Sequence, residues 1–421
     1  MFGRDASGRA TLGGIAIEDL LASAGTGTPA YLYDLDAIAE EARDLRSGFG
    51  HNRHLVAYAV KANSAGRIIR TLAKQGCGAD VVSGGELELA LRAGIAPGDI
   101  VFSGVAKLDD ELDMAIGSGD EGIAAIQAES VEELVRIAAR ARTQKRRARV
   151  SLRVNPNVEA DVHAHIATGH DEAKFGILRD DLPEAFDTIA KHEELRLVGL
   201  SSHVGSQLTT TEPYLEAARV LLEVVRDAES RLGQLELVDF GGGFGIDYGK
   251  GCEARPADFA REISALVNEA GLSRLRVVVE PGRSLVAPHG VLVASVVQTK
   301  ASRTGRRWLM IDAGMNDLLR PALYQARHRI EPLTWDPSQP HASYRVVGPI
   351  CESSDDFGSF ELPVAPFSAV VIRDAGAYGY TMASQYNGRA LPAEVFVAGG
   401  KVVSARMRAP RKAWVDDRLE D

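Results

Sequence analysis

A chain of 421 residues exceeds what one ordinary hydrophobic core supports, so two domains, or one barrel with an accessory domain, are expected. With 45% apolar and 25% charged residues it has the makeup of a folded globular protein and excludes a disordered one. A formal charge of −10 leaves no footprint for nucleic acid or an anionic membrane, and the basic cluster Lys145-Arg146-Arg147 is a short helix-end feature.

Cys77, Cys252 and Cys351 lie far apart, without metal-ligand or disulfide-framework spacing, which favours a reducing compartment. The amino terminus carries no apolar signal core and no window approaches 18 apolar residues, so a cytoplasmic enzyme or binding protein is expected.

Along the chain, TPAYLYDLDAI (28–38) reads as strand then helix. From about residue 54 to 290 strand and helix patterns alternate. LVAYAV, ADVV, DIVFSG, GIAAIQA, ARVSLRV, LRLVGLSSHV, LELVDF and LRVVVE are strand-like, and helical runs such as GRIIRTLAKQG and SVEELVRIAARAR lie between them. Eight strands over roughly 240 residues, joined by right-handed crossovers, predict a (β/α)₈ barrel in preference to an open doubly wound sheet. After residue 290 the period changes to that of strands, with AGGK (398–401) as a hairpin turn. The expected organisation is a barrel over 45–290 and a β-rich domain from 1–44 and 291–421, to which the early strand of TPAYLY contributes.

In such barrels function sits at the carboxyl ends of the strands. There the chain places Lys61 and Asn63 in YAVKANS, Asp80 and Ser83, Arg153 and Asn155, His203 and Ser206, the run GGGFG (241–245), and Glu280-Pro281-Gly282-Arg283. A lysine closing an apolar strand is either paired with a buried acid or a Schiff-base amine of lowered pKa. The glycine run brings backbone N–H groups close to an anion, or simply makes a tight turn. A lysine for an aldehyde, a carboxylate such as Glu280 for a ring nitrogen, an imidazole such as His203 to lie on the ring and a phosphate cradle together suit pyridoxal phosphate.

YAVKAN, HVGSQ, DFGGGFG and EPGR, in this order over about residues 28–400, resemble the barrel-type (fold type III) pyridoxal-phosphate decarboxylases. TGHDEAKFGI (168–177), MNDLLRPALY (315–324) and GPICESSD (348–355) resemble the diaminopimelate decarboxylases more than their ornithine and arginine relatives. The resemblance implies that Lys61 carries the cofactor aldehyde, Glu280 pairs with the ring nitrogen and His203 stacks on the ring. It further implies that Ser206, Gly241, Gly242, Gly243 and Tyr378 hold the phosphate with the EPGR turn (Gly282, Arg283), and that Asp80 and Arg153 support the lysine. Cys351 and Glu352 would reach the neighbouring subunit's active site in a homodimer, with Cys351 as proton donor. No metal is implied.

Diaminopimelate has an amino-acid group at each end, so the end that does not react needs its own binding groups. Arg283 and Arg320, with Tyr324 and Tyr378, suit its carboxylate and Glu352 its ammonium. Ornithine and lysine, as substrates, lack that second carboxylate. The alternatives are a relative acting on ornithine, arginine or a D-amino acid, and a non-catalytic pyridoxal-phosphate-binding homologue.

Overall fold

The alternating patterns between residues 54 and 280 close on themselves. Parallel strands His54–Ala59, Gly78–Val81, Ile100–Phe102, Ala125–Ala128, Ala148–Arg153, Leu195–Ser201, Leu237–Asp239 and Arg276–Val279 form a closed barrel, the eighth pairing with the first through Val277 and His54. This computed structural model describes residues 1–156, 174–303, 305–336, 338–364 and 366–419. The expected (β/α)₈ barrel with a β-rich partner is the fold found. All eight predicted strands are barrel strands, because each is a short apolar run bounded by turn residues.

Two of the intervening helices begin at an S-x-x-E signature. Ser83 and Ser130 accept the backbone N–H groups of Glu86 and Glu133, each at 3.2 Å. Both glutamates reach back, Glu86 to the N–H of Val82 and Glu133 to that of Glu129. Sequence reading missed the helix Asp109–Gly117, whose nine residues carry only a short apolar face between acidic and glycine-rich flanks.

Two-residue periodicity along the strands explains how this barrel makes a site. Leu55, Ala57, Val101, Ala125, Val198, Leu237 and Val278 pack into one buried apolar cluster. One step further along the same face, at i+2, stand Ser103, Gln127, Asp239 and Glu280, all buried. Asp80, wholly buried, follows Gly78 by the same step.

By compactness the chain divides into Glu41–Ile246 with Gly251–Ser284, which holds the barrel, and Met1–Glu40 with Asp247–Lys250 and Leu285–Asp421. The latter unit is built on a mixed sheet. Ala30–Asp34, the early strand, runs antiparallel to Gly290–Ala301 and parallel to Ala393–Ala398. Leu32, Val291, Val293, Val371, Val395 and Val397 are among its buried core. The AGGK hairpin turns through Gly399 (φ 56°) and Gly400 (φ 66°), left-handed positions that glycine takes without strain. The strand Asp356–Pro363 and a small amino-terminal sheet of Phe2–Arg4, Ala10–Leu12 and Ile15–Ala16 are additions to the sequence reading. The loop VEADVHAHIA and the first part of TGHDEAKFGI lie outside the described residues.

Candidate active site

The first barrel strand ends at Ala59, and a single 3₁₀ turn over Val60–Ala62 lifts Lys61 off it. Asn63 fixes the exit: its Oδ1 accepts the Ala65 N–H at 3.0 Å and its carbonyl accepts the Tyr58 hydroxyl at 2.9 Å. Lys61 Nζ lies 2.6 Å from Asp80 Oδ2; the acid is 0% exposed and the lysine side chain 39%. The reading of Lys61 as a lysine paired with a buried acid is the one the geometry shows. The amine stays within reach of a small molecule.

Beneath it runs a chain of polar groups from successive strands. The Ser103 hydroxyl donates to Asp80 Oδ1 at 2.6 Å, with Gln127 Oε1 at 3.2 Å. The Gln127 amide donates to both Asp239 Oδ2 and Glu280 Oε1, each at 2.8 Å, and Asp239 Oδ1 accepts the Gly241 N–H. Burial, then the charges of Asp239 and Asp80, push Glu280 well above the ordinary carboxylate range, and burial pushes Asp239 up to about 6. Burial thus favours the protonated form of Glu280, which hydrogen-bonds Asp239. Ser103, Gln127 and Asp239 were missed from sequence, although each stands two residues beyond an apolar barrel position.

His203 is half-buried, and its Nδ1 accepts the Gly242 N–H at 3.1 Å. Burial, with Arg153 and Lys61 nearby, holds its imidazole well below the ordinary range, so the ring is neutral. The triple-glycine bend has a packing reason of its own. A Cβ on Gly241 (φ 68°) would lie 2.5 Å from the Ser202 carbonyl oxygen, and one on Gly242 2.0 Å from that of Glu280. These glycines let three strand ends converge.

Arg153 does not join the Lys61–Asp80 pair directly. Its Nη1 meets Glu129 Oε1 at 2.9 Å, and its guanidinium lies 4.8 Å from the ring centre of Phe175. Glu129 also accepts the N–H groups of Gly104 and Gly176, tying three segments to one buried carboxylate. Just past the fourth barrel strand, it is a residue that a strand-end search should find. The buried Arg283 donates to Ser206 at 2.8 Å, and Gly282 packs against Ala59 and Ala62.

The remaining predicted residues belong to the other unit. Arg320 opens a short helix, Arg320–Tyr324, and at 7% exposure is no surface arginine; its Nη1 is 3.0 Å from the Tyr248 hydroxyl and 2.9 Å from His328 Nε2. Tyr324 is half-buried. Tyr378 is half-buried too and holds φ at 55°, a left-handed conformation uncommon for a non-glycine residue. In GPICESSD the organiser is Asp355, which accepts the N–H groups of Met315 and Ile350 at 2.6 Å each. Cys351 and Glu352 stand exposed on this loop; the Cys351 N–H donates to Asn387 Oδ1 and Glu352 receives the Tyr386 hydroxyl at 2.7 Å. Cys77, by contrast, is buried, and burial pushes its thiol to about 12.

Residues 35–287 match the family model of the pyridoxal-dependent decarboxylase pyridoxal binding domain. The chain is 40% identical over 400 residues to the diaminopimelate decarboxylase of Zymomonas mobilis, covering 94% of this chain and 92% of that one. It superposes with a TM-score of 0.91 and 33% identity on M. jannaschii diaminopimelate decarboxylase in co-complex with L-lysine, over 100% of this chain and 98% of that one. Similarity to Vibrio vulnificus lysine/ornithine decarboxylase complexed with putrescine is lower, 25% identity and a TM-score of 0.76, over 92% and 99%. The cofactor is pyridoxal phosphate, and the barrel's groups fit it: a reachable amine seated on an acid, a buried carboxyl of raised pKa that could face a ring nitrogen, and an imidazole at the same strand ends. The chain belongs to the diaminopimelate decarboxylases, within the pyridoxal-dependent decarboxylase family.

Proposed function

We infer that the chain removes one carboxylate from meso-2,6-diaminopimelate, releasing carbon dioxide and L-lysine, as a cytoplasmic homodimer with active sites completed across the subunit interface. The observation that carries this is the Lys61 amine, accessible and seated on the wholly buried Asp80. The barrel, read from sequence as 45–290, holds the cofactor, and 1–44 with 291–421 form the β-rich domain.

Bound pyridoxal phosphate supplies an electron sink for the pair of electrons left on the α-carbon when carbon dioxide departs. The protein groups do the rest. Lys61 holds the aldehyde end, and Asp80 keeps that amine in place. Glu280 would pair with the ring nitrogen, held in place by the Gln127 amide that donates to its Oε1. His203 covers one ring face. Ser206, Gly241, Gly242, Gly243, Gly282 and Tyr378 hold the phosphate; Arg153, anchored by Glu129, braces the strand end beside them. Arg283, Arg320 and Tyr324 take the distal carboxylate and Glu352 the distal ammonium. The Cys351 thiol returns a proton to the α-carbon, which balances the loss of carbon dioxide.

Incubating purified protein with pyridoxal phosphate and meso-diaminopimelate should yield equimolar L-lysine and carbon dioxide, with far lower rates on lysine, ornithine or arginine. Faster turnover of ornithine or arginine would assign the chain to that branch. Cofactor binding without turnover of any of them would make it a binding homologue.

A further inference from the structure

The sequence patterns account for Arg320 but not for what holds it. Its Nη1 donates both to the Tyr248 hydroxyl, at 3.0 Å, and to His328 Nε2, at 2.9 Å. Its guanidinium carbon lies 5.0 Å from the Tyr248 ring centre, and the Tyr248 and His328 rings meet edge to face, 5.4 Å apart. On the far side His328 Nδ1 is 2.9 Å from the Arg373 carbonyl oxygen. A carbonyl only accepts, so Nδ1 carries the ring hydrogen and Nε2 presents its lone pair to the arginine. The imidazole is fixed as one neutral tautomer, 3% exposed. Both hydrogens of Nη1 then point at fixed acceptors, which sets the plane in which the planar fork meets a carboxylate.

We propose that His328 and Tyr248 are positioning residues for the distal-carboxylate site: they hold Arg320 in its binding orientation before substrate arrives, and so set preference for substrates with a second carboxylate. This rests on the reading of Arg320 as the group that receives that carboxylate. A flexible arginine loses side-chain freedom on binding, and an arginine already immobilised does not, so the benefit appears as affinity for carboxylate-bearing ligands.

L-lysine keeps the amino-acid group that does not react, which makes it the probe. Holoenzyme variants are titrated with L-lysine calorimetrically, and cofactor affinity is measured on the same preparations. In His328→Phe, L-lysine affinity should fall about ten-fold or more, with cofactor affinity within about two-fold of wild type. In His328→Gln, whose amide oxygen can accept from Arg320, L-lysine affinity should return to within about three-fold. Tyr248→Phe, which keeps the ring against the guanidinium and loses only the hydroxyl, should weaken L-lysine about three-fold.

Wild-type L-lysine affinity in His328→Phe, alongside a clear loss in Arg320→Ala, overturns the positioning role and leaves the substrate reading intact. Equal losses in His328→Phe and His328→Gln overturn it too, since the acceptor would not be what matters. Undiminished affinity in Arg320→Ala sinks the substrate reading itself, and the positioning role with it. Should His328→Phe not fold, Tyr248→Phe decides: weakening supports the proposal, and unchanged affinity beside an impaired Arg320→Ala overturns it.

Discussion

The barrel's share of the proposed site and the share carried by GPICESSD are built in opposite ways. In the barrel, Asp80, Ser103, Gln127, Asp239 and Glu280 are buried, and each has a partner from another strand within the same unit. On the loop, Cys351 and Glu352 are exposed, while the buried Asp355 does the structural work. The barrel is preorganised for a cofactor by its own fold; the loop presents a thiol and a carboxylate at the surface. Cofactor binding and proton delivery should therefore separate under mutation.

The largest effect is expected at the barrel. Lys61→Ala should reduce decarboxylation by about three orders of magnitude or more, as loss of a covalent catalytic group does, even with excess cofactor. On the loop, Cys351→Ala should reduce turnover by about 10²- to 10⁴-fold, the usual worth of a positioned proton donor, while cofactor affinity measured by fluorescence stays at its wild-type value. Loss of cofactor in that variant would erase the contrast between the two regions. Glu129→Ala removes the carboxylate facing the buried Arg153; urea unfolding should show about 3–5 kcal/mol of lost stability, because a buried guanidinium is left without its counter-charge.

The smallest effect is a pH signature of the buried acids. Asp239 has its folded pKa raised from 3.8 to about 6, so the folded protein retains a proton through that interval that the unfolded chain gives up. This contribution therefore favours the folded state at low pH and is lost as pH rises through the interval. Thermal melts of cofactor-free protein should show Asp239→Asn losing this slope, its melting temperature relative to wild type rising between pH 4 and pH 6.5. A difference independent of pH would mean that no proton is held there.

The barrel was legible because short apolar runs bounded by turn residues repeat eight times, and Lys61, His203 and Glu280 stand out as polar residues at their ends. Asp239 and Gln127 were hidden for the same reason: each sits inside an apolar run, and only the two-residue step from Leu237 and Ala125 turns them toward the polar layer. Glu129 stood at a strand end where a search could find it, but its role, like that of Tyr248 and His328, was invisible for another reason. Their meaning lies in contacts with Arg153 and Arg320, and in a neutral imidazole whose tautomer is chosen by a backbone carbonyl, none of which leaves a pattern in the chain. The glycine run was read toward a phosphate, while its convergence on Ser202 and Glu280 depends on how neighbouring strand ends close.

The amine at position 61 can be interrogated chemically. Holoenzyme reduced with borohydride, digested and analysed by mass spectrometry should carry the phosphopyridoxyl group on the peptide containing Lys61, in near-stoichiometric yield. Label on another lysine, or none after verified cofactor loading, would contradict the active site described above.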